Sequence, residues 1–130
     1  MASEDEEAEA FCFMFEHAYP KVWAFTYHVP NEGKHKPWYR KAQRKRGVKP
    51  GVPDYHIAYP FGGFPGLYIE LKKKGGGLTK KGNIARGGEV SDEQKEWLER
   101  FKEVGFATAV CYGAEEALSV VQAYLEGRFT

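Results

Sequence analysis

Two acids and a lysine, Asp54, Glu70 and Lys72, carry the strongest chemical signal in this chain of 130 residues. They lie in one stretch, Gly51 to Lys72, that reads as a two-stranded hairpin. The strands are expected over 54–59 and 67–73, around a Pro- and Gly-rich tip, PFGGFPG, whose residues interrupt regular pairing. Side chains alternate along a strand. Leu67, Ile69 and Leu71 therefore face one side, and Tyr68, Glu70 and Lys72 the other. On the first strand Tyr55 and Ile57 oppose Asp54, His56 and Ala58. A turn centred on Gly62 sets Asp54 directly opposite Glu70, and opposed residues share a face about 5 Å apart. Two like charges so placed need a compensating cation. A divalent metal suits the task, being hard, oxygen-seeking and commonly held by one or two carboxylates plus water.

Pro53-Asp54 followed by Glu70-Leu71-Lys72 matches the signature of the PD-(D/E)XK nucleases. The wider context is GVPD, then YIELK, then Ser91-Asp92-Glu93-Gln94. In that context the chain resembles the VRR-NUC (virus-type replication-repair nuclease) branch, from about Glu4 to Leu125. The resemblance implies an α/β fold with a restriction-endonuclease-like core, a mixed central sheet flanked by helices on both faces. It also implies an endonuclease hydrolysing DNA phosphodiesters with Mg2+ or Mn2+. Asp54, Glu70, Lys72 and Gln94 would be catalytic, and the backbone carbonyl of Leu71 a further metal ligand. Lys72 would orient the attacking water or stabilise charge on phosphorus; a salt bridge to Glu70 would use the same geometry. The viral-type relatives pair into dimers and cut branched DNA, notably four-way (Holliday) junctions. Resemblance therefore also implies a homodimer, in the cytoplasm of a bacterium or a phage-infected cell.

Around this hairpin the chain divides into elements. Glu4 to Ala18 reads as a helix whose first-turn acids suit the positive end of the helix dipole. Glu7, Phe11, Met14 and Ala18 share one stripe, and a carboxylate on a buried stripe must be paired or bind a metal. In the related nucleases a first-helix glutamate completes the metal site, which makes Glu7 the candidate. Glu6 and Glu9 stand in reserve, because the run from Ala10 to Phe15 is apolar almost all round and leaves the phase open. A purely dipolar role for all these acids has equal weight. Lys21 to Val29, rich in aromatic and β-branched residues, reads as a strand. His28-Val29-Pro30-Asn31 then breaks it; family members show a similar string, which would bring His28 or Asn31 near a phosphate, whereas Pro-Asn by itself favours a turn.

Pro37 to Arg46 is expected to be a short basic helix, with Pro37 in its first turn and Arg40, Lys41, Arg44 and Lys45 gathered on one side. Trp38 and Tyr39 are expected to anchor it, the alternative being that they stack on bases. Gly75 to Glu89, with six glycines, reads as a mobile basic loop. It is longer than the family's usual link; it would order on DNA with Lys80, Lys81 and Arg86 touching phosphates, or else be a tolerated surface insertion. Ser91 and Gln94 form a capping box for a helix to about Val104. Gln94 also shares a stripe with Trp97, Phe101 and Val104, which are expected to face the core, so it needs a polar partner. A strand over 106–112 and a helix over 114–125 complete the order.

Charge sharpens the reading. The net charge is +1, yet Lys34 to Lys49 holds eight Lys or Arg without an acid, and Lys72 to Arg86 six more. Two such stripes beside a carboxylate pair suit a polyanion. The length is that of one domain, spanning 1–130. No apolar run is long enough to span a membrane. Cys12 and Cys111 read as buried, reduced thiols in a reducing cytoplasm. No P-loop or G-x-S-x-G occurs, and the four histidines lack zinc-ligand spacing. Two other readings stay open: a nucleic-acid-binding module without catalysis, and a sequence-specific restriction-type endonuclease, for which the chain has little spare length.

Overall fold

The computed structural model describes residues 2–30, 36–76, 80–84 and 87–130. Four strands form one mixed sheet in the order β1-β2-β3-β4: β1 (Thr26–His28), β2 (Tyr55–Ile57), β3 (Leu67–Lys72) and β4 (Ala107–Tyr112). β2 pairs antiparallel with both β1 and β3, and β3 and β4 run parallel. Parallel neighbours need a crossover, which α4 (Asp92–Glu103) supplies. The β2–β3 register pairs Tyr55 with Ile69 and Ile57 with Leu67. This is the register expected from a turn centred on Gly62, one step short of Asp54 and Glu70.

β3 is buried along its whole length, so its two-residue alternation divides the molecule. Leu67, Ile69 and Leu71 join Phe11 and Phe15 of α1 (Glu4–Ala18) and Val121 and Tyr124 of α5 (Ala114–Leu125) in the main core. Phe11 meets the Tyr55 ring edge-on at 5.2 Å. On the other face α4 covers the sheet, with Phe101 stacked on Tyr68 at 3.8 Å. The fold is therefore α/β, a mixed sheet with helices on both faces, as the sequence implied.

Helix ends follow their caps. α1 starts at a Ser3–Glu6 capping box and α4 at the Ser91–Gln94 box. α3 (Pro37–Lys45) opens on its proline. Three expectations need correction. The segment Lys21–Val29 is not one strand: α2 (Pro20–Trp23) takes its first half, and only β1 pairs. Pro20 begins that helical turn, which buries Val22 and sets Trp23 against Phe15 at 5.4 Å; packing on α1 outweighs the β preference of these residue types. Val104 is 69% exposed, because it caps α4 beyond the covered face. Trp38 does not anchor α3, being 69% exposed, and the residue that α3 buries is Gln43.

Cys12 and Cys111 are free thiols, Cys111 buried and Cys12 half-buried. Among the described residues no helix is long and apolar enough to cross a membrane. Arg86 and Asn31 lie outside the described residues.

Candidate active site

The loop after α3 delivers Asp54, and one glycine sets its path. Gly51 has φ +87°, a region that costs side-chain-bearing residues strain, and a Cβ there would meet Glu93 at 2.7–2.8 Å and the Gln94 amide at 2.9 Å. The loop backbone is thus pressed onto the first turn of α4, which couples Asp54 to Gln94. Gly51→Ala is expected to destabilise the protein by about 2–4 kcal/mol, from backbone strain and overpacking together. Urea unfolding measures this, and an unchanged midpoint would show that the contact yields freely.

Asp54 and Glu70 converge. The Asp54 amide donates to Glu70 Oε2 at 3.2 Å, and the Leu71 amide donates to Asp54 Oδ2 at 2.7 Å. Lys72 Nζ lies 3.5 Å from Glu70 Oε1. Gln94 Nε2 also donates to Glu70 Oε1, while its amide oxygen accepts from Ser91 N at 2.8 Å. One side chain therefore caps the helix and holds the carboxylate, the two roles read for Gln94.

Glu70 is buried, at 1% exposure, and Asp54 is half-buried. Burial, then the neighbouring Asp54, push the Glu70 carboxyl up to about 8, against the pull of Lys72 and the Asp54 amide. Burial likewise raises Asp54, opposed by the Leu71 amide, His28 and Lys72. Lys72 is 7% exposed, and the backbone of Gly88 is packed on its stem, where a Cβ would stand 3.1–3.6 Å from Lys72 carbons. The end of the glycine-rich connection thus covers the lysine instead of standing clear of it.

Glu7 is not brought to this pair. Its carboxylate accepts from Ala114 N at 3.4 Å, at the start of α5, where Gly113 offers no side-chain cap. The buried stripe of α1 runs through Phe11 and Phe15, so its phase differs from the one expected. Glu6 is occupied in the Ser3 capping box and Glu9 is exposed. Glu4 and Asp5 of α1 instead line a hollow of about 60 Å³ that Asp54, His28 and Leu71 also line. No sequence signal short of the helix phase could have selected them.

The basic residues separate. Arg40 and Arg44 line a cleft of about 370 Å³ that also holds Asp54 and Gln94. Lys41 and Lys45 are exposed on α3, and Lys80 and Lys81 are exposed on a turn; none of the four lines that cleft. Arg40 Nε is buried without a hydrogen-bond partner among the described residues. Such an orphan donor costs on the order of 1–3 kcal/mol.

The family model described as the VRR-NUC domain matches residues 21–115, a span holding Asp54, Glu70, Lys72 and Gln94 but not α1. A solved structure described as a VRR_NUC domain protein aligns with a TM-score of 0.77 and 26% sequence identity, covering 97% of this chain and 90% of its own. No curated protein matches the chain.

Proposed function

The chain belongs to the VRR-NUC domain family, a nuclease-type domain, and from that premise we propose that it is a magnesium- or manganese-dependent endonuclease acting on DNA phosphodiesters. One observation carries the reading: Asp54 and Glu70 meet across neighbouring strands with Lys72 and Gln94 on the same carboxylate. Two acids held together, one buried and one half-buried, are unfavourable unless a cation or a proton intervenes. The donors are hard oxygens, which fits magnesium or manganese. Among the described residues no group of three His, Cys, Asp or Glu is assembled as a metal cage. Magnesium characteristically keeps several waters and needs only one or two carboxylates, so the fit holds. Asp54, Glu70 and the Leu71 carbonyl would hold the ion, with Glu4 and Asp5 the first-helix acids at hand.

When bound, such an ion supplies Lewis-acid polarisation of the phosphate and acidifies a water. The chain supplies the rest. Leu71 N–H and Gln94 fix the two carboxyl groups in orientation. Lys72 places an ammonium beside Glu70, where charge develops on the phosphoryl oxygens. Arg40, Lys41, Arg44, Lys45, Lys80, Lys81 and Arg86 furnish the phosphate contacts of the DNA surface.

Preference for four-way junctions and a homodimer extend the proposal, on the resemblance to viral-type members. A two-fold pair presents two identical sites to two symmetric strands. Purified protein incubated with labelled linear, flap and four-way DNA, with and without Mg2+ or Mn2+, tests all three parts. Metal-dependent cleavage of the junction in preference to linear DNA is expected. Binding without cleavage of any substrate would leave the non-catalytic module, and cuts at fixed sequences in linear DNA the restriction-type enzyme. Light scattering should give about twice 14.8 kDa, and a monomer would remove the symmetric-resolvase form.

A further inference from the structure

The two sides of the carboxylate pair differ in charge. Toward α1 the hollow at Asp54 has Glu4 and Asp5 in its wall. Toward α3 the larger cleft has Arg40, Arg44 and Lys49 in its wall. That cleft shares Lys49, Pro50 and Glu93 with a second hollow of about 290 Å³ that reaches Trp97 and Arg100. The two form one trough from Asp54 across the first turns of α4. From Gln94 to Arg100 the helix rises about 9 Å, the axial span of two or three nucleotides of a duplex strand at roughly 3.4 Å each.

The walls of the trough are built for this. Trp97 Nε1 donates to the Pro50 carbonyl at 3.0 Å and ties the loop to α4. Its ring carries Lys49 Nζ at 5.8 Å and the Arg100 guanidinium at 4.8 Å from the centroid. Glu96, the acid beside Arg100, is paired with it at 3.6 Å. Glu93 is the other acid on the floor. At the carboxylate end Arg40, whose Nε is buried without a hydrogen-bond partner among the described residues, lines the cleft with a guanidinium fork whose geometry matches a phosphate.

We propose that this trough carries the nucleic-acid strand leading away from the scissile phosphate, with Arg40 on the adjacent phosphate and Lys49 and Arg100 on those beyond. The inference rests on the nucleic-acid reading above and names a path for it. A polyanion is turned away from the Glu4–Asp5 side and drawn to the other.

The test is fluorescence anisotropy of labelled single-stranded and duplex oligonucleotides with the full chain in EDTA, across a series of KCl concentrations. Arg40→Ala is expected to weaken binding about tenfold, and Arg40→Lys to recover only part of it. The double variant Lys49→Ala/Arg100→Ala is expected to weaken binding about tenfold and to reduce the salt slope by about 1.5. Lys21→Ala/Arg128→Ala, outside the trough, should bind within twofold of the parent. Thermal melts identify any variant that fails to fold, and the surface double variant keeps the test open if Arg40→Ala does. Trough variants that bind within twofold, or a parent chain that binds no nucleic acid, would overturn the proposal. Cleavage by the parent in Mg2+ or Mn2+ separates the two readings. Cleavage with unaltered trough binding removes the path alone; weakened trough binding without cleavage removes hydrolysis alone.

Discussion

Glu70→Gln is expected to make the metal-free protein more stable at alkaline pH while lowering phosphodiester cleavage by on the order of a thousandfold. The sign follows from proton binding. In the unfolded chain Glu70 ionises near its ordinary 4.5, and in the folded protein near 8, raised first by burial and then by Asp54. Between those values the folded state holds a proton that the unfolded state has lost, so stability falls as pH rises across the window. The contribution is fully present below 4.5 and gone above about 8. Glutamine resembles the protonated acid in shape and cannot ionise, so the variant should lack this slope. Melting in EDTA from pH 4 to 9 should show the two proteins together at the acid end. A gap of about 5 °C at pH 8.5 would correspond to roughly 1–2 kcal/mol. Added Mg2+ or Mn2+ should reverse the order by stabilising only the parent. Parallel pH profiles would refute the picture of a buried, charge-frustrated pair.

Lys72→Met should cost about 10²–10³ in single-turnover cleavage while leaving DNA affinity within a few-fold. Methionine keeps a hydrocarbon stem beneath the Gly88 backbone and deletes only the ammonium beside Glu70. A lysine serving only as a salt-bridge partner would register differently. Its loss would lower the melting temperature at pH 8, where Glu70 is ionising, and hardly at pH 5, with little direct effect on the chemical step once metal is bound. Cleavage within tenfold of the parent at saturating Mn2+ would assign Lys72 to that structural role.

The carboxylate pair was legible before any coordinates because its determinants are local. A two-residue alternation and a glycine-centred turn suffice to specify β2, β3 and their register. Ser91 and Gln94 announce α4, and Pro37 announces α3, by satisfying or lacking first-turn amides. The position of Glu7 was not legible, for the opposite reason. A helix apolar almost all round carries no phase; the packing sets Glu7 against Ala114 of α5, while Glu4 and Asp5 line the hollow beside Asp54. Trp38 is large and apolar, which suits an anchor, but it is 69% exposed and its ring meets that of the adjacent Tyr39 edge-on.

The chain by itself therefore determined its element types, the central hairpin and the family resemblance, including which acids oppose each other. The tertiary structure decided the rest: the helical turn at Pro20, the phase of α1, the cover over Lys72, and the trough joining Arg40 to Arg100. Hydrogen-bond periodicity and capping act between residues a few positions apart. Which side of a helix is buried, and which cations share a cleft, depends on segments far away in sequence that pack against it.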